Sequence, residues 1–389
     1  MNSRERLSAA IDLKEPTKIP CSFMLFKGLW AQSKDYLDFI QRQVALGLDA
    51  CVQIPPRQPG VTNDHYNLHG LPVNYDPSVR IEEWVETPVG EQTPILVKEY
   101  HTPAGCLRAE VRRTNDWPYG EHVPFLDDYL VPRSRRFLVE EPADLEALTF
   151  LLTEPTREEI ADFRAKSRSA VDYAAQQGLL LTGGWGVGAD LIGWIFGLQN
   201  MLYAVYDQPD LVHGMLAMIG DWNRARMRAM LELGVDLYIK RAWYENCDFW
   251  TPGTFKQFIA PQLKQDIDLA HEFGSRFGYL ITSNVMPLLD QIAELGVDVL
   301  IGVDPQGWDL DMTKGKLGGK VCLWGGVNGH LTVEQGSTEE VRREVREAIE
   351  TLAPGGGFIL SPVDNVREFT PAIRENVLAL IDEANRQGN

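Results

Sequence analysis

The sequence predicts an α/β fold, a (β/α)8 barrel of the TIM type that carries a β-rich insertion after its second strand. Two observations predict it. The first is a recurring signal, Leu46-Gly47-Leu48-Asp49, Leu233-Gly234-Val235-Asp236 and Leu295-Gly296-Val297-Asp298, each copy followed at once by an apolar run. Glycine just past an apolar-periodic segment stops a helix, because it enters the left-handed cap conformation at little cost. A short run rich in β-branched and aromatic residues then reads as a buried parallel strand. The second is the number of such strands: Ile19–Leu25, Ala50–Pro55, Leu179–Gly184, Leu237–Ala242, Phe277–Thr282, Val299–Val303, Lys320–Trp324 and Gly357–Pro362. Eight strands alternating with helices fit a closed barrel, whose chemistry sits at the carboxyl ends of its strands.

Helical periodicity lies between most of these strands, at Tyr36–Leu46, Thr156–Gln177, Asp210–Leu233, Pro261–Phe273, Met286–Leu295 and Thr338–Leu352. An open dinucleotide-binding sheet is the rival, prompted by Gly184-Trp185-Gly186-Val187-Gly188. That run follows the third strand and lacks the Gly-x-Gly-x-x-Gly spacing, so the barrel is preferred. Residues 1–389 are taken as one barrel domain. Residues 56–140 form a β-rich excursion from the active-site face, with alternating runs at Ile81–Glu86, Ile95–His101 and Leu107–Arg113. Thr102-Pro103-Ala104-Gly105 between the last two is a hairpin signal.

Composition narrows the function. Against 37 Lys+Arg stand 55 Asp+Glu, a formal charge of −18, which repels nucleic acid and acidic membrane surfaces. Five cysteines, Cys21, Cys51, Cys106, Cys247 and Cys322, show no paired spacing. They read as reduced thiols in a cytoplasmic setting. No secretory leader pattern and no apolar run long enough for a membrane span is seen.

Several stretches resemble the uroporphyrinogen decarboxylase superfamily. They are Asn2-Ser3-Arg4-Glu5-Arg6-Leu7 with Ile19-Pro20, Trp243-Tyr244-Glu245 with Phe249-Trp250-Thr251-Pro252, Gly302-Val303-Asp304-Pro305, Gly325-Gly326-Val327-Asn328, and Gly355-Gly356-Gly357-Phe358-Ile359-Leu360. Asp127-Asp128 and Pro132-Arg133-Ser134 match within the insertion. The resemblance implies a barrel enzyme, either a cofactor-free decarboxylase or a methyltransferase working with corrinoid proteins and often with zinc. The decarboxylases resembled carry arginines after the first strand to hold an octacarboxylate; here Cys21 to Trp30 contains none, only Lys27, which lacks the bidentate fork. The zinc methyltransferases place His-x-Cys-Gly-Asn at the fifth strand. Here Leu280 and Thr282 stand where the ligands would be, Asn284 alone matches, and Ser361 marks an eighth strand without cysteine. No metal is therefore expected at the barrel centre, although Glu245, Cys247 and Asp364 could make a relocated set.

The resemblance thus points to the corrinoid-dependent methyltransferase branch without its zinc motif. It implies a small donor such as a methoxylated aromatic, no tightly bound cofactor, and a corrinoid on a partner protein as acceptor. The alternatives are a decarboxylase of a smaller acid and a non-catalytic substrate-binding homologue. By strand order, the outlets supply Glu245, Asp364 and His330 as candidate acids. Phe26, Trp185, Trp243, Tyr244, Asn284, Asp304 and Asn328 are candidate substrate-binding residues. Each has a plainer reading. Glu245 could pair with Arg241, Asp304 could form a turn with Pro305, Asp364-Asn365 could cap the following helix, and His330 could be merely exposed. His271 suits a helix C-terminus, and His65 and His69 are a weak i, i+4 metal pair.

Overall fold

A computed structural model describes residues 1–56 and 69–387. Its framework is a parallel, curled seven-stranded sheet in the order β1 (Cys51–Ile54), β6 (Leu180–Gly186), β7 (Leu237–Arg241), β8 (Arg276–Leu280), β9 (Val299–Val303), β10 (Cys322–Asn328) and β11 (Phe358–Val363). The missing numbers belong to an antiparallel sheet, β2 (Arg80–Glu86), β3 (Ile95–Thr102), β4 (Gly105–Arg112) and β5 (Ser134–Arg136), paired in chain order. His65 and the start of the 56–140 excursion lie outside the described residues.

Seven strands form where eight were expected. The Ile19–Leu25 segment takes the eighth place through two isolated parallel bridges to the β11 region, Cys21 to Leu360 and Leu25 to Asn365. Pro20 has no N–H to give a ladder; its carbonyl accepts from Leu360 N at 2.9 Å. On the other side the Cys21 carbonyl takes the Asp49 N–H at 2.7 Å, so the segment joins β11 to the loop entering β1.

The recurring Leu-Gly-x-Asp signal acts at every copy as its composition suggests. Gly47, Gly234 and Gly296 have φ of 95°, 75° and 90°, the left-handed cap. The aspartate that follows reaches back to the preceding strand position. Asp49 Oδ2 accepts from Cys21 N at 3.2 Å, Asp236 Oδ2 from Leu181 N at 2.9 Å, and Asp298 Oδ2 from Phe277 N at 2.7 Å. Each aspartate N–H returns a bond to the carbonyl of the same partner, at 2.7, 2.8 and 3.1 Å. A basic side chain covers each carboxylate: Arg6 at 2.5 Å, Arg4 at 2.6 Å and the His271 ring at 2.6 Å. His271 thus acts at this amino-terminal rim, remote from the chemistry.

Helices Tyr36–Leu46 and Thr338–Leu352 occupy the expected spans, begun by Asp35 and by a Ser337–Glu340 capping box. Inside the sheet, Leu180, Leu237, Ile239, Leu280, Ile301 and Trp324 form an apolar cluster, and outward-facing strand residues join the larger core beneath the helices. In the excursion, Thr102 pairs with Gly105 across the two-residue turn, and its Oγ1 donates to the Gly105 carbonyl at 2.9 Å. Among the described residues no helix is long and apolar enough to cross a membrane.

The aspartate latch is testable at its most buried copy. Asp49→Ala leaves the Cys21 N–H and Arg6 without their acceptor, and a loss of about 2 kcal/mol is expected. Asp49→Asn, which keeps an oxygen toward Cys21, should lose less. Urea unfolding followed by circular dichroism checks this; an unchanged midpoint in Asp49→Ala would mean that the latch contributes nothing.

Candidate active site

At the carboxyl ends of the strands lies a small pocket, part of it open to solvent. Met24 and Leu25 from the bridged segment, Trp243 after β7, Leu280 and Thr282, Ile301 and Gly302, Trp324, and Ser361 to Asp364 line it. Its lining residues are mostly tryptophan and aliphatic, with Thr282, Ser361 and Asp364 the polar ones. Trp324 is fixed by an Nε1 bond to the Ser22 carbonyl at 2.9 Å. Gly302, at φ 108°, is obligatory, since a Cβ there would meet the Ile281 carbonyl oxygen at 2.4 Å.

Of the four non-glycine residues with positive φ among the described residues, three sit on this rim: Trp185 at 64°, Ser283 at 65° and Asp364 at 66°. Such backbone strain concentrates at functional sites. Trp185 falls in an irregularity of the β6–β7 register, between Gly184 and Gly186. The bulge packs its ring on the interior cluster that contains Leu280 and Trp324.

Beside the pocket, Arg241 is buried between two tryptophans, its guanidinium carbon 3.7 Å from the Trp243 ring centre and 5.1 Å from that of Trp194. Its Nη2 donates to both oxygens of Asp128, at 2.6 and 2.7 Å. Asp128 also accepts from Trp194 Nε1 at 3.0 Å and from the Tyr244 hydroxyl at 3.1 Å. Beneath the ring stands Asp190, fully buried, with Oδ2 2.9 Å from Arg241 Nε but off the N–H axis, so the contact is ionic and not a directed hydrogen bond. Asp190 Oδ1 accepts from Tyr244 N at 2.9 Å. Burial pushes the Asp190 carboxyl up to about 7, Arg241 opposing and Glu245 adding to the rise.

Glu245 lies on the far side of this group. It is 1 % exposed and does not line the central pocket. Its Oε1 accepts from Ala189 N at 3.0 Å and its Oε2 from the Tyr279 hydroxyl at 2.5 Å. Its cation is Lys240, 3.9 Å away, and not Arg241. Lys240 donates to Asp266 at 2.9 Å, and Asp266 also takes Arg224 at 3.0 Å. Burial works against the Lys240 charge, but Asp266 and Glu245 outweigh it and raise its pKa. The Gly184–Gly188 run makes room for this packing: a Cβ on Gly188 would meet Glu245 Oε1 at 2.2 Å.

The other expected residues are dispersed. Phe26 is buried against Phe23 and Phe369, each at 5.1 Å. Tyr244 turns toward Asp128 and packs edge-on against Phe249. Asn284 is exposed, and its carbonyl accepts from Cys247 N. Asn328 Nδ2 bonds both oxygens of Asp304 at 3.1 Å, while Asp304 also holds the turn through Gln306 N at 3.0 Å. His330, half-exposed, pairs with Glu334 at 2.9 Å and Gln335 at 2.9 Å on the surface, away from the pocket lining. Asp364 pairs with Arg367 at 2.9 Å, and Asn365 accepts from Lys27 N, so it caps the short Lys27–Trp30 helix and not the one that follows it. His69 is buried on Asn223, and burial lowers its pKa to about 4.

The donor set does not fit the zinc that the resemblance implies. Leu280, Thr282 and Ser361 do converge on one pocket, but none offers thiolate or imidazole. The relocated set fails as well: Glu245 is held behind β7, Asp364 is at the pocket mouth, and with Cys247 they bring no donor atoms together.

Sequence reasoning missed Asp190, Asp266 and Tyr279, and singled out Asp128 only as part of the family resemblance. The available signal was Lys240-Arg241, two successive cations closing a buried strand, which require buried acids nearby.

Asp190 gives a pH test. Its folded pKa, about 7, lies above the roughly 3.9 of an unfolded aspartate, so its stabilising contribution is complete below that value and is lost as pH rises through about 7. Asp190→Asn cannot ionise. The unfolding midpoint of the variant relative to the parent should therefore rise between pH 4 and 7.5; a flat difference would show that Asp190 ionises as an ordinary surface acid.

Comparison with known proteins agrees with this architecture. The uroporphyrinogen decarboxylase (URO-D) family model matches residues 119–387. A uroporphyrinogen decarboxylase of Dechloromonas aromatica is 25% identical over 197 residues, 47% of this chain and 51% of that protein. The methylcobamide:CoM methyltransferase MtaA of Methanosarcina barkeri is 26% identical over 175 residues, 42% of this chain and 49% of that protein. The chain thus spans about half the length of the curated relatives it matches. A methyltransferase structure from Methanosarcina mazei covers 99% of both chains with a TM-score of 0.61 at 20% identity, a likeness of fold. The chain belongs to the uroporphyrinogen decarboxylase family.

Proposed function

We propose that the protein is a methyltransferase that takes a methyl group from a small, largely apolar donor, such as a methoxylated aromatic, and delivers it to a corrinoid protein. The observation that carries this reading is the pocket lining. Two tryptophans and aliphatic side chains suit a neutral aromatic ring, and no arginine or lysine is among the lining residues to hold several carboxylates. The nearest buried guanidinium, Arg241, is already matched by Asp128 and Asp190. The name carried by the Methanosarcina barkeri relative supports the same chemistry.

In this reading the corrinoid cobalt of the partner supplies the nucleophile. The chain's own residues bind and orient the donor and handle the proton. Trp243, stacked on Arg241, is a fixed wall for the ring. Ether cleavage requires a proton for the departing oxygen, and Asp364 is the carboxyl that lines the pocket. Glu245 serves by holding Tyr279 and the start of the Ala189–Ile195 helix, and His330 plays no part at the pocket.

The test is demethylation of methoxylated benzoates and phenols with reduced cobalamin as acceptor, the phenol product read by chromatography. Asp364→Asn should lower kcat about 100-fold, within the usual range for general-acid loss, with KM little changed. Trp243→Ala should chiefly raise KM. If no methoxylated aromatic is turned over while a small carboxylic acid releases carbon dioxide, the protein is a decarboxylase.

A further inference from the structure

We propose that the outer face of the antiparallel sheet is a zinc site formed by Glu82, Glu99, His101 and Cys106, separate from the pocket and independent of the methyl-transfer reading. Sheet geometry assembles it. Glu99 and His101 are two apart on β3 and share a face; Glu82 is the register partner of Glu99 on β2, and Cys106 that of His101 on β4. The donor atoms of Glu99, His101 and Cys106 all lie within 4.8 Å of one another.

Two of the donor separations and the carboxylates' outer partners suit a bound ion. His101 Nε2 is 3.2 Å from Glu99 Oε2 and 3.8 Å from Glu82 Oε2. Donors at about 2.0–2.3 Å from tetrahedral zinc stand roughly 3.3–3.8 Å apart. His101 Nε2 is shielded from solvent and makes no hydrogen bond among the described residues. The outer oxygens of both glutamates are held by arginines: Arg80 is 3.4 Å from Glu82 Oε1, and Arg108 is 3.0 Å from Glu99 Oε1. Each carboxylate therefore presents its other oxygen to His101, in the way that outer partners orient metal ligands.

One thiolate, one imidazole and two carboxylates select a borderline divalent ion such as zinc over magnesium, which prefers oxygen ligands throughout. Binding releases the Cys106 thiol proton to solvent and forms the sulfur–metal bond, with no redox change. The ion would cross-link β2, β3 and β4.

The experiment titrates chelator-stripped full-length protein with Zn²⁺ against a chromophoric competitor, and with Co²⁺ followed by absorbance. The expected result is one ion per chain, a thiolate-to-cobalt charge-transfer band, and no competition by Mg²⁺. Cys106→Ser and His101→Gln should each weaken zinc binding roughly 100-fold. Cys247→Ser should bind as the parent does. Cys106 is exposed, so its serine variant keeps the fold, which circular dichroism verifies. Absence of binding, absence of the charge-transfer band, or full affinity in Cys106→Ser would overturn the proposal.

Discussion

The site depends on one desolvated cation. Arg241 ends β7, lies between Trp194 and Trp243, and binds Asp128 from the excursion and Asp190 from the helix after β6. Removing one partner of a buried ion pair typically costs about 3–5 kcal/mol, because the other charge is left unmatched in low dielectric. Three segments far apart in sequence are therefore drawn to one guanidinium. The consequence reaches the pocket through Trp243, which lines it. A pocket wall is thus set by an ion pair that lies outside the pocket lining.

At the opposite rim the aspartate latch does the same for the strands. Parallel strands have no hairpin to fix their register, so long crossover connections must be brought back to the right neighbour. Each Leu-Gly-x-Asp copy ends the incoming helix at a left-handed glycine and binds the first residues of the neighbouring strand through both backbone and carboxylate. This is why the fold was legible: helix stop, register device and strand start lie within a few consecutive residues. The helices at Tyr36 and Ser337 were legible for a similar reason, because their caps are local.

The site was less legible, because side-chain direction at a strand end is not local. Along β7 the residues alternate inward and outward, but after Arg241 the backbone turns, with Glu245 N bonding the Ala242 carbonyl, and the alternation no longer applies. Trp243 consequently faces the pocket while Glu245, two residues on, enters the layer between sheet and helices. His330 is carried outward in the same way, by the π-helical turn Gly329–Glu334 that follows β10. The bridged Ile19–Leu25 segment read as a full strand because its apolar pattern is that of one; the departure lies in Pro20 and in a Cys21 backbone already bonded to Asp49.

Charge balance then explains how so acidic a chain keeps an apolar pocket. The formal charge is −18, yet the acids packed near the barrel mouth are matched: half-buried Asp128 and buried Asp190 by Arg241, Asp266 by Lys240 and Arg224, and Glu245 by Lys240 with the Tyr279 hydroxyl. None of these charges lines the pocket, and the one carboxylate that does, Asp364, has Arg367 beside it. The lining is therefore indole and aliphatic, with Thr282, Ser361 and one arginine-paired aspartate as its polar residues. A polyanion entering there would lose its hydration without gaining cations, at a cost of several kcal/mol per buried charge. A neutral ring would exchange water for tryptophan and leucine, which is favourable. The same matching that stabilises the barrel mouth thus keeps unpaired cations out of the pocket lining.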